Sequence, residues 1–376
     1  MKIILSPDSF KGSISASEAT EAIRQGILSV LPEAQVICLP IADGGEGTLE
    51  TLVRKENRIR KTVTAPDFSS VEAEYGMEGD TAIIEMAEAA GLTLLKEEKR
   101  SAGETTTFGV GELILDALGR GCRRILLTVG GSATNDGGCG MMGALGVRFY
   151  DGEGKTFIPV GRTLANIEGI DLSDLTPRLR DCEIMIATDV KNPLCGEEGA
   201  TYVYGPQKGA DACTLKEIET GMLHYARLLL AVGGLPVEQR AGCGAGGGIA
   251  APLVSLLGAK IRSGIEAVLD SLRFSELLAG SDAVVTGEGR LDTQSLFGKA
   301  ISGVTQRAAK ASVPVYCLVG SVKGDPRQLK ALGLEEIYSI VDRAESVEDA
   351  IANADKYLRL LGADLAKELK QKENRG

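Results

Sequence analysis

Residues 2–30 read KIILSPDSFKGSISASEATEAIRQGILSV. The stretch opens with the apolar run Ile3-Ile4-Leu5, passes through the polar, turn-rich Ser6 to Gly12, and continues with Ile14, Ala19, Ala22, Ile23, Gly26, Ile27 and Val30 at helical spacing. Period two gives way to period 3.6 across a short polar loop, which predicts a strand, a loop and an amphipathic helix over Ser13 to Val30. A strand feeding a helix in this way places the loop at the carboxyl end of the strand, where α/β proteins carry their chemistry.

The pattern recurs along the chain. β-rich runs at Gln35 to Pro40, Ile125 to Val129, Glu183 to Ala187, Ala283 to Thr286, Val313 to Val319 and Glu336 to Val341 each end in a polar or Gly-rich turn. This alternation predicts a doubly wound, parallel, Rossmann-like α/β sheet. Residues Lys61 to Glu88 behave differently, because Thr62-Val63-Thr64 and Thr81 to Met86 alternate and are separated by turn signals at Pro66-Asp67 and Glu78-Gly79-Asp80, as in hairpins. The βα rhythm returns at Ser281 and runs into a charged C-terminal helix, Val347 to Lys372. The expected organisation is therefore two domains: residues 1–57 plus 281–376 forming the Rossmann-like part, with a second α/β domain, 58–280, inserted between them.

Composition narrows the function classes. The 376 residues are 44% hydrophobic and 25% charged, which is ordinary for a folded protein, and two domains suit the length. A formal charge of −11, with both signs interspersed, argues against nucleic acid and anionic membrane as partners. The eight cysteines form no Cys-x-x-Cys pair and read as reduced thiols. The N-terminal apolar run is too short for a secretory signal, and the longest uncharged stretch, Ala241 to Ala259, holds several glycines and Pro252; a cytoplasmic protein is expected.

Glycine is the unusual residue, at 48 of 376, roughly twice the usual share of about 7%. The glycines gather in five clusters: SPDSFKG (6–12), ADGGEGT (42–48), GGSATNDGG (130–138), DVKNPLCGEEGATYVYGPQKG (189–209) and TGEGRLDTQSLFGK (286–299). A run such as Gly130 to Asn135 directly after a strand can turn backbone N–H groups and hydroxyls toward one anion, which is phosphate-binding chemistry. Glycines also mark plain turns, but five clusters, three of them holding a lysine, exceed that reading. No P-loop is present. Gly242-x-Gly244-x-x-Gly247 satisfies the dinucleotide pattern but follows a polar, Pro-containing segment instead of a strand, so it reads as a close-packing or substrate loop. The single histidine, His224, lies in a helical apolar stretch and makes a Ser-His-Asp or Cys-His hydrolase a poor fit. The carboxylates beside the clusters suit a hard, oxygen-preferring ion such as Mg²⁺.

Taken together and in order, the five clusters resemble the bacterial glycerate kinase family, type I, from Lys2 to about Val319. The resemblance implies ATP-dependent phosphorylation of D-glycerate at the 2-hydroxyl, a two-domain α/β fold and a site in the cleft between the domains. One departure is Gly242 to Gly248, GCGAGGG, where the family pattern is closer to Gly-Ala-Gly-Ala-Ala-Gly-Gly; small residues replace small residues there.

Phosphoryl transfer needs an acceptor hydroxyl in line with the γ-phosphate, a bridging metal, cations for the transferring charge and a carboxylate for the hydroxyl proton. On the residues alone, Gly130, Gly131, Ser132, Ala133, Thr134 and Asn135 are expected to cradle nucleotide phosphates together with Lys299. Lys11 and Lys208 are expected at the transferring group, and Ser6, Asp8, Asp43 and Arg290 at the substrate. Asp189, after a strand, is the expected base, and Glu288 with Asp292 the expected Mg²⁺ ligands; these two carboxylate roles are interchangeable at this stage. A kinase for another small hydroxy acid or sugar acid, and a nucleotide-sensing protein without turnover, are the alternatives.

Overall fold

In the computed structural model of the chain, which describes residues 1–10, 12–42, 47–291, 300–323 and 333–373, the strands in chain order are β1 (Lys2–Pro7), β2 (Gln35–Cys38), β3 (Arg58–Thr64), β4 (Ser70–Glu78), β5 (Thr81–Glu85), β6 (Arg124–Thr128), β7 (Arg148–Tyr150), β8 (Thr156–Phe157), β9 (Gly169–Asp171), β10 (Glu183–Ala187), β11 (Lys260–Arg262), β12 (Ala283–Leu291), β13 (Val315–Val322) and β14 (Glu336–Ser339). Two compact units are present, one formed by Met1–Asp43 with Val268–Gly376 and the other by Gly44–Ala267.

The first unit holds an all-parallel five-stranded sheet in the order β14-β13-β12-β1-β2. One face carries Ile3, Leu5, Ala283, Val285 and Leu318, packed against the helices Ala16–Val30 and Ala354–Glu373. The opposite face places Leu291, Cys317 and Val319 against Ile301 of the helix Ala300–Lys310. Strands apolar on both sides need helices on both faces, which makes the doubly wound arrangement the stable one. The helix Ala16–Val30 starts where Ser15 accepts a hydrogen bond from the Glu18 N–H and the Glu18 carboxylate accepts one from the Ser15 N–H, a capping box. The C-terminal helical stretch is broken at Asn353 into Val347–Ala352 and Ala354–Glu373, where the sequence pattern predicts one continuous helix.

The second unit carries a mixed six-stranded sheet, β11-β10-β6-β5-β4-β3, parallel from β11 to β5 and antiparallel at β4 and β3, plus a small antiparallel sheet, β8-β7-β9. The hairpin character read in Lys61 to Glu88 corresponds to β3, β4 and β5. The sequence pattern puts the junctions at 57/58 and 280/281, whereas the compact units divide at 43/44 and 267/268. The physical reason is that Leu49 and Val53, in and just after the helix Thr48–Leu52, pack on Ile83, Leu126 and Ala187 of the second sheet, as does Ala267.

Candidate functional site

In the first unit the direction of strand progression reverses between β1 and β12: β1 leads outward to β2, and β12 leads the other way to β13 and β14. Carboxyl ends on either side of such a reversal diverge and leave a crevice. The crevice is present, with a volume of about 650 Å³, and its walls include Asp8, Ser9 and Phe10 after β1, Glu288 to Arg290 of β12, and Gly320 to Lys323 around the end of β13.

Local backbone geometry sets these side chains. The Asp8 N–H donates to Gly287 O at 2.8 Å, tying the end of β1 to β12, and the Ser9 N–H donates to Asp8 Oδ1 at 2.6 Å. Strand β12 runs on through Gly287-Glu288-Gly289-Arg290 to Leu291, five residues beyond the expected end at Thr286, because β13 keeps pairing with it through Arg290↔Ser321 and Leu291↔Val322. A Cβ at residue 287 would lie 2.0 Å from Leu318 O, so the close approach of β13 requires glycine there. Glu288 and Arg290, two residues apart on this strand, share a face and both line the crevice. Asp8, Arg290 and Glu288 thus line one crevice. The charge of Glu288 adds to burial in pushing the Cys317 thiol of β13 well up, which leaves that cysteine protonated and inert.

Ser6 is not brought to the crevice. It is fully buried within β1, and its Oγ donates to Leu39 O at 2.9 Å while its own carbonyl accepts from Thr286 Oγ1 at 2.9 Å, a tie between three segments of chain. Lys11, Asp43, Asp292 and Lys299 lie outside the described residues.

In the second unit the loop after β6 departs from the open phosphate cradle expected of it. Gly130 and Gly131 are exposed, but Ser132, Ala133, Thr134, Asn135 and Asp136 are buried. The Ala133 N–H donates to Ala90 O at 2.8 Å, and the N–H groups of Gly138 and Gly140 donate to the Asp136 carboxylate at 3.0 and 3.1 Å. The Thr107 N–H and hydroxyl supply two more donors to Asp136, both at 2.8 Å. Burial pushes the Asp136 carboxyl up, against these four hydrogen bonds that hold it down.

Lys208 lies inside the same cluster. It is 2% exposed, and Nζ donates to Ser132 Oγ at 2.8 Å and to Thr134 O at 2.7 Å. Desolvation brings its pKa down to about 7, although the negative charge of Asp136 opposes this. The segment Gly205 to Gly209 turns the lysine inward, onto Ser132 and Thr134. Beside it, Thr134 Oγ1 and Asn135 Oδ1 are buried with no hydrogen-bond partner among the described residues. Gly242 to Gly248 is a packing loop, as its sequence context indicates: the Gly137 N–H donates to Gly247 O at 3.1 Å, and the N–H groups of Gly242 and Gly244 donate to Asn192 O. His224 Nε2 lies 2.6 Å from Ile167 O and donates to that carbonyl, so the ring takes no part in a triad.

Asp189 follows β10 as expected and is exposed; its Oδ1 accepts from the Gly264 N–H at 3.0 Å, at the start of the helix Gly264–Ser271. Two features escaped sequence reasoning. Glu85, at the end of β5, is buried and accepts from the Leu49 N–H at 2.6 Å. The other is the apolar bank of the first unit's crevice, formed by Phe10, Ile340, Val341, Val347 and Ile351. The readable signal for the bank is Val347, Ala350, Ile351 and Ala354 at i, i+3, i+4 and i+7, one helical face on which all four line the crevice.

All eight cysteines are free, five of them buried. No helix among the described residues is long and apolar enough to cross a membrane.

Comparison with known proteins is consistent along the whole chain. A sequence model of the glycerate kinase family matches residues 3–370. A glycerate kinase of Bacillus subtilis (strain 168) is 44% identical over 374 residues, covering 98% of each chain. A glycerate 2-kinase of Escherichia coli (strain K12) is 42% identical over 358 residues, covering 94% of each. A crystal structure from Salmonella typhimurium LT2, named for glycerate kinase 2, superposes with a TM-score of 0.88 at 41% identity, covering 100% of this chain and 99% of that one. The chain belongs to the glycerate kinase family.

Proposed function

We propose that this kinase transfers the γ-phosphoryl group of ATP to the 2-hydroxyl of D-glycerate, giving 2-phosphoglycerate. Family membership supports the reaction class, and the observation that carries the site is the meeting of Asp8, Glu288 and Arg290 in one crevice at the switch point of a parallel sheet. Such a crevice offers carboxylates for a metal and a cation for phosphate charge within one wall.

The residues fit Mg²⁺. Among the described residues there is no group of three or more metal-ligating side chains, and Mg²⁺ does not require one. It keeps its waters and is held by one or two carboxylates plus substrate phosphates. Asp8 and Glu288 supply two carboxylates in one crevice, so Asp8 takes the place beside Glu288 that the sequence reading gives to Asp292. When bound there, Mg²⁺ neutralises phosphate charge and orients the transferring group. The protein's own contribution is positional: Arg290 meets phosphate or carboxylate charge with a planar fork of donors. Asp189, exposed at the carboxyl end of β10, is the group assigned to accept the hydroxyl proton. Lys208 is assigned a positioning role, holding Ser132 and Thr134 in place from beneath. The free thiols support a reducing, cytoplasmic setting.

The test is to incubate the purified protein with ATP, Mg²⁺ and D-glycerate, follow ADP, and couple the product to enolase without added mutase. Turnover that enolase consumes directly is the expected result. Failure to release ADP above the no-acceptor blank removes the kinase assignment, and a product that enolase cannot use removes the 2-position.

A further inference from the structure

The crevice of the first unit is lined by two chemically different sets of side chains. One is polar, with Asp8, Glu288, Arg290 and Lys323; the other, the apolar bank, is Phe10, Ile340, Val341, Val347 and Ile351. The second bank is unusual because part of it is not core. Val347 is 59% exposed, Ile351 50% and the adjoining Val322 42%, three of the large apolar side chains that the chain leaves open to water. Single exposed valines need no explanation, but three such side chains that line one cavity beside four charged groups do.

Glycerate does not explain this bank. It has three carbons, each bearing oxygen, so it offers almost no apolar surface to bury, and it fills little of about 650 Å³. A nucleoside triphosphate has the required division: a flat apolar base at one end and a polyanion at the other. Resting on the kinase reading above, we propose that this crevice is the nucleotide site, with the purine ring seated on Val347, Ile351, Ile340 and Phe10 and the phosphates directed to Arg290, Lys323, Asp8 and Glu288. In the Gly130–Asn135 loop, Ser132 Oγ and Thr134 O accept from Lys208 and the Ala133 N–H donates to Ala90 O, and on this proposal the loop is not the nucleotide cradle.

The local fold makes the seat separable from stability. Val347 and Ile351 lie one turn apart on a helix whose start is capped by Ser346, which accepts from the Asp349 N–H. An acidic residue at position 347 sits in the first turn, where the helix dipole favours it. Val347→Asp with Ile351→Asp should therefore fold, yet place two charges where the base must be desolvated.

The experiment is calorimetric titration of the full chain with ADP and Mg²⁺, and separately with inorganic tripolyphosphate, for the wild type, the double variant and the milder Val347→Ala/Ile351→Ala pair, with melting curves as a control on folding. The expected result is an ADP Kd raised at least about tenfold in the Asp double variant, a smaller rise in the Ala pair, tripolyphosphate binding within about twofold of wild type, and a KM for ATP that rises while that for glycerate holds. ADP binding in the folded variants equal to wild type overturns the seat and leaves the kinase reading intact. A KM for glycerate that rises with ADP affinity unchanged assigns the crevice to the acceptor and overturns it as well. A wild-type protein that binds no ADP overturns both.

Discussion

Two glycine-rich regions with nearly the same vocabulary reach opposite ends. In Gly287-Glu288-Gly289-Arg290 the glycines let β13 approach β12, and the charged residues between them face an open crevice. In Gly130 to Gly138 the far end is closed over, with Ile249 backbone against Gly138 and Gly247 against Thr134 O, and Ser132 Oγ, Thr134 O and the Gly138 N–H turn inward to Lys208 and Asp136. Glycine permits close approach in both places, and what separates a ligand site from a packed junction is where the neighbouring polar atoms find their partners. A substitution of a charged residue in the first region should then damage function with stability unchanged, and one in the second should do the reverse.

The largest effect expected is on Asp189, the exposed carboxylate of the second unit. A general base contributes about 10²–10⁴-fold, so Asp189→Asn should lower kcat on that scale with nucleotide affinity little changed. A loss under about threefold returns Asp189 to the role of helix-start residue for Gly264. Next, Glu288→Gln should cost about 100-fold or more in kcat/KM, a loss well beyond any change in melting, since it deletes charge from the crevice. Equal losses of activity and melting temperature would make it a structural residue and dissolve the contrast between the regions.

Gly247→Ala probes the closed region. Gly247 has φ +72°, and a Cβ there would lie 1.9 Å from Thr134 O. The left-handed backbone and the forced shift together should cost about 2–4 kcal/mol in urea unfolding, and unchanged stability would show the loop to be looser than described.

Lys208 gives the most diagnostic effect, and the smallest per pH unit. With its folded pKa near 7 and its unfolded value in the ordinary lysine range, the folded protein sheds a proton above pH 7 that the unfolded chain retains. The unfolded chain binds more protons, so this group makes stability rise with pH from about 7 toward 10, by at most about 1.4 kcal/mol per unit. Lys208→Met should remove that slope, read as the difference between the two urea-unfolding series. Parallel series would mean the ammonium is solvated and free to meet a ligand.

Much of this is legible in the sequence. Strand Glu183–Ala187 and the helix end at Val30 follow directly from periodicity, and the parallel doubly wound sheet follows from their recurrence; the helix starts at Ala16 and not at Ser13 because Ser15 and Glu18 cap it. The extension of β12 is not legible, because Gly-Glu-Gly-Arg reads as a turn until a partner strand is present to pair with it. Of the expected site residues, Asp8, Glu288 and Arg290 converge, as strand-end residues do in this fold. Ser6 lies away from the crevice because alternation along β1 points it at Leu39 O, and the burial of Lys208 is not legible because nothing in a Pro-Gln-Lys-Gly string tells an inward lysine from an outward one. The apolar bank stays hidden because Phe10, Ile340 and Val347 come from distant parts of the chain and look like core residues one at a time.

The contrast between the two regions is tested most directly by amide hydrogen exchange with and without ADP and Mg²⁺. The account predicts new protection over residues 287–291, 320–323 and 340–351, with exchange over 130–136 unchanged. Protection confined to 130–136, with the crevice of the first unit unaffected, would contradict it.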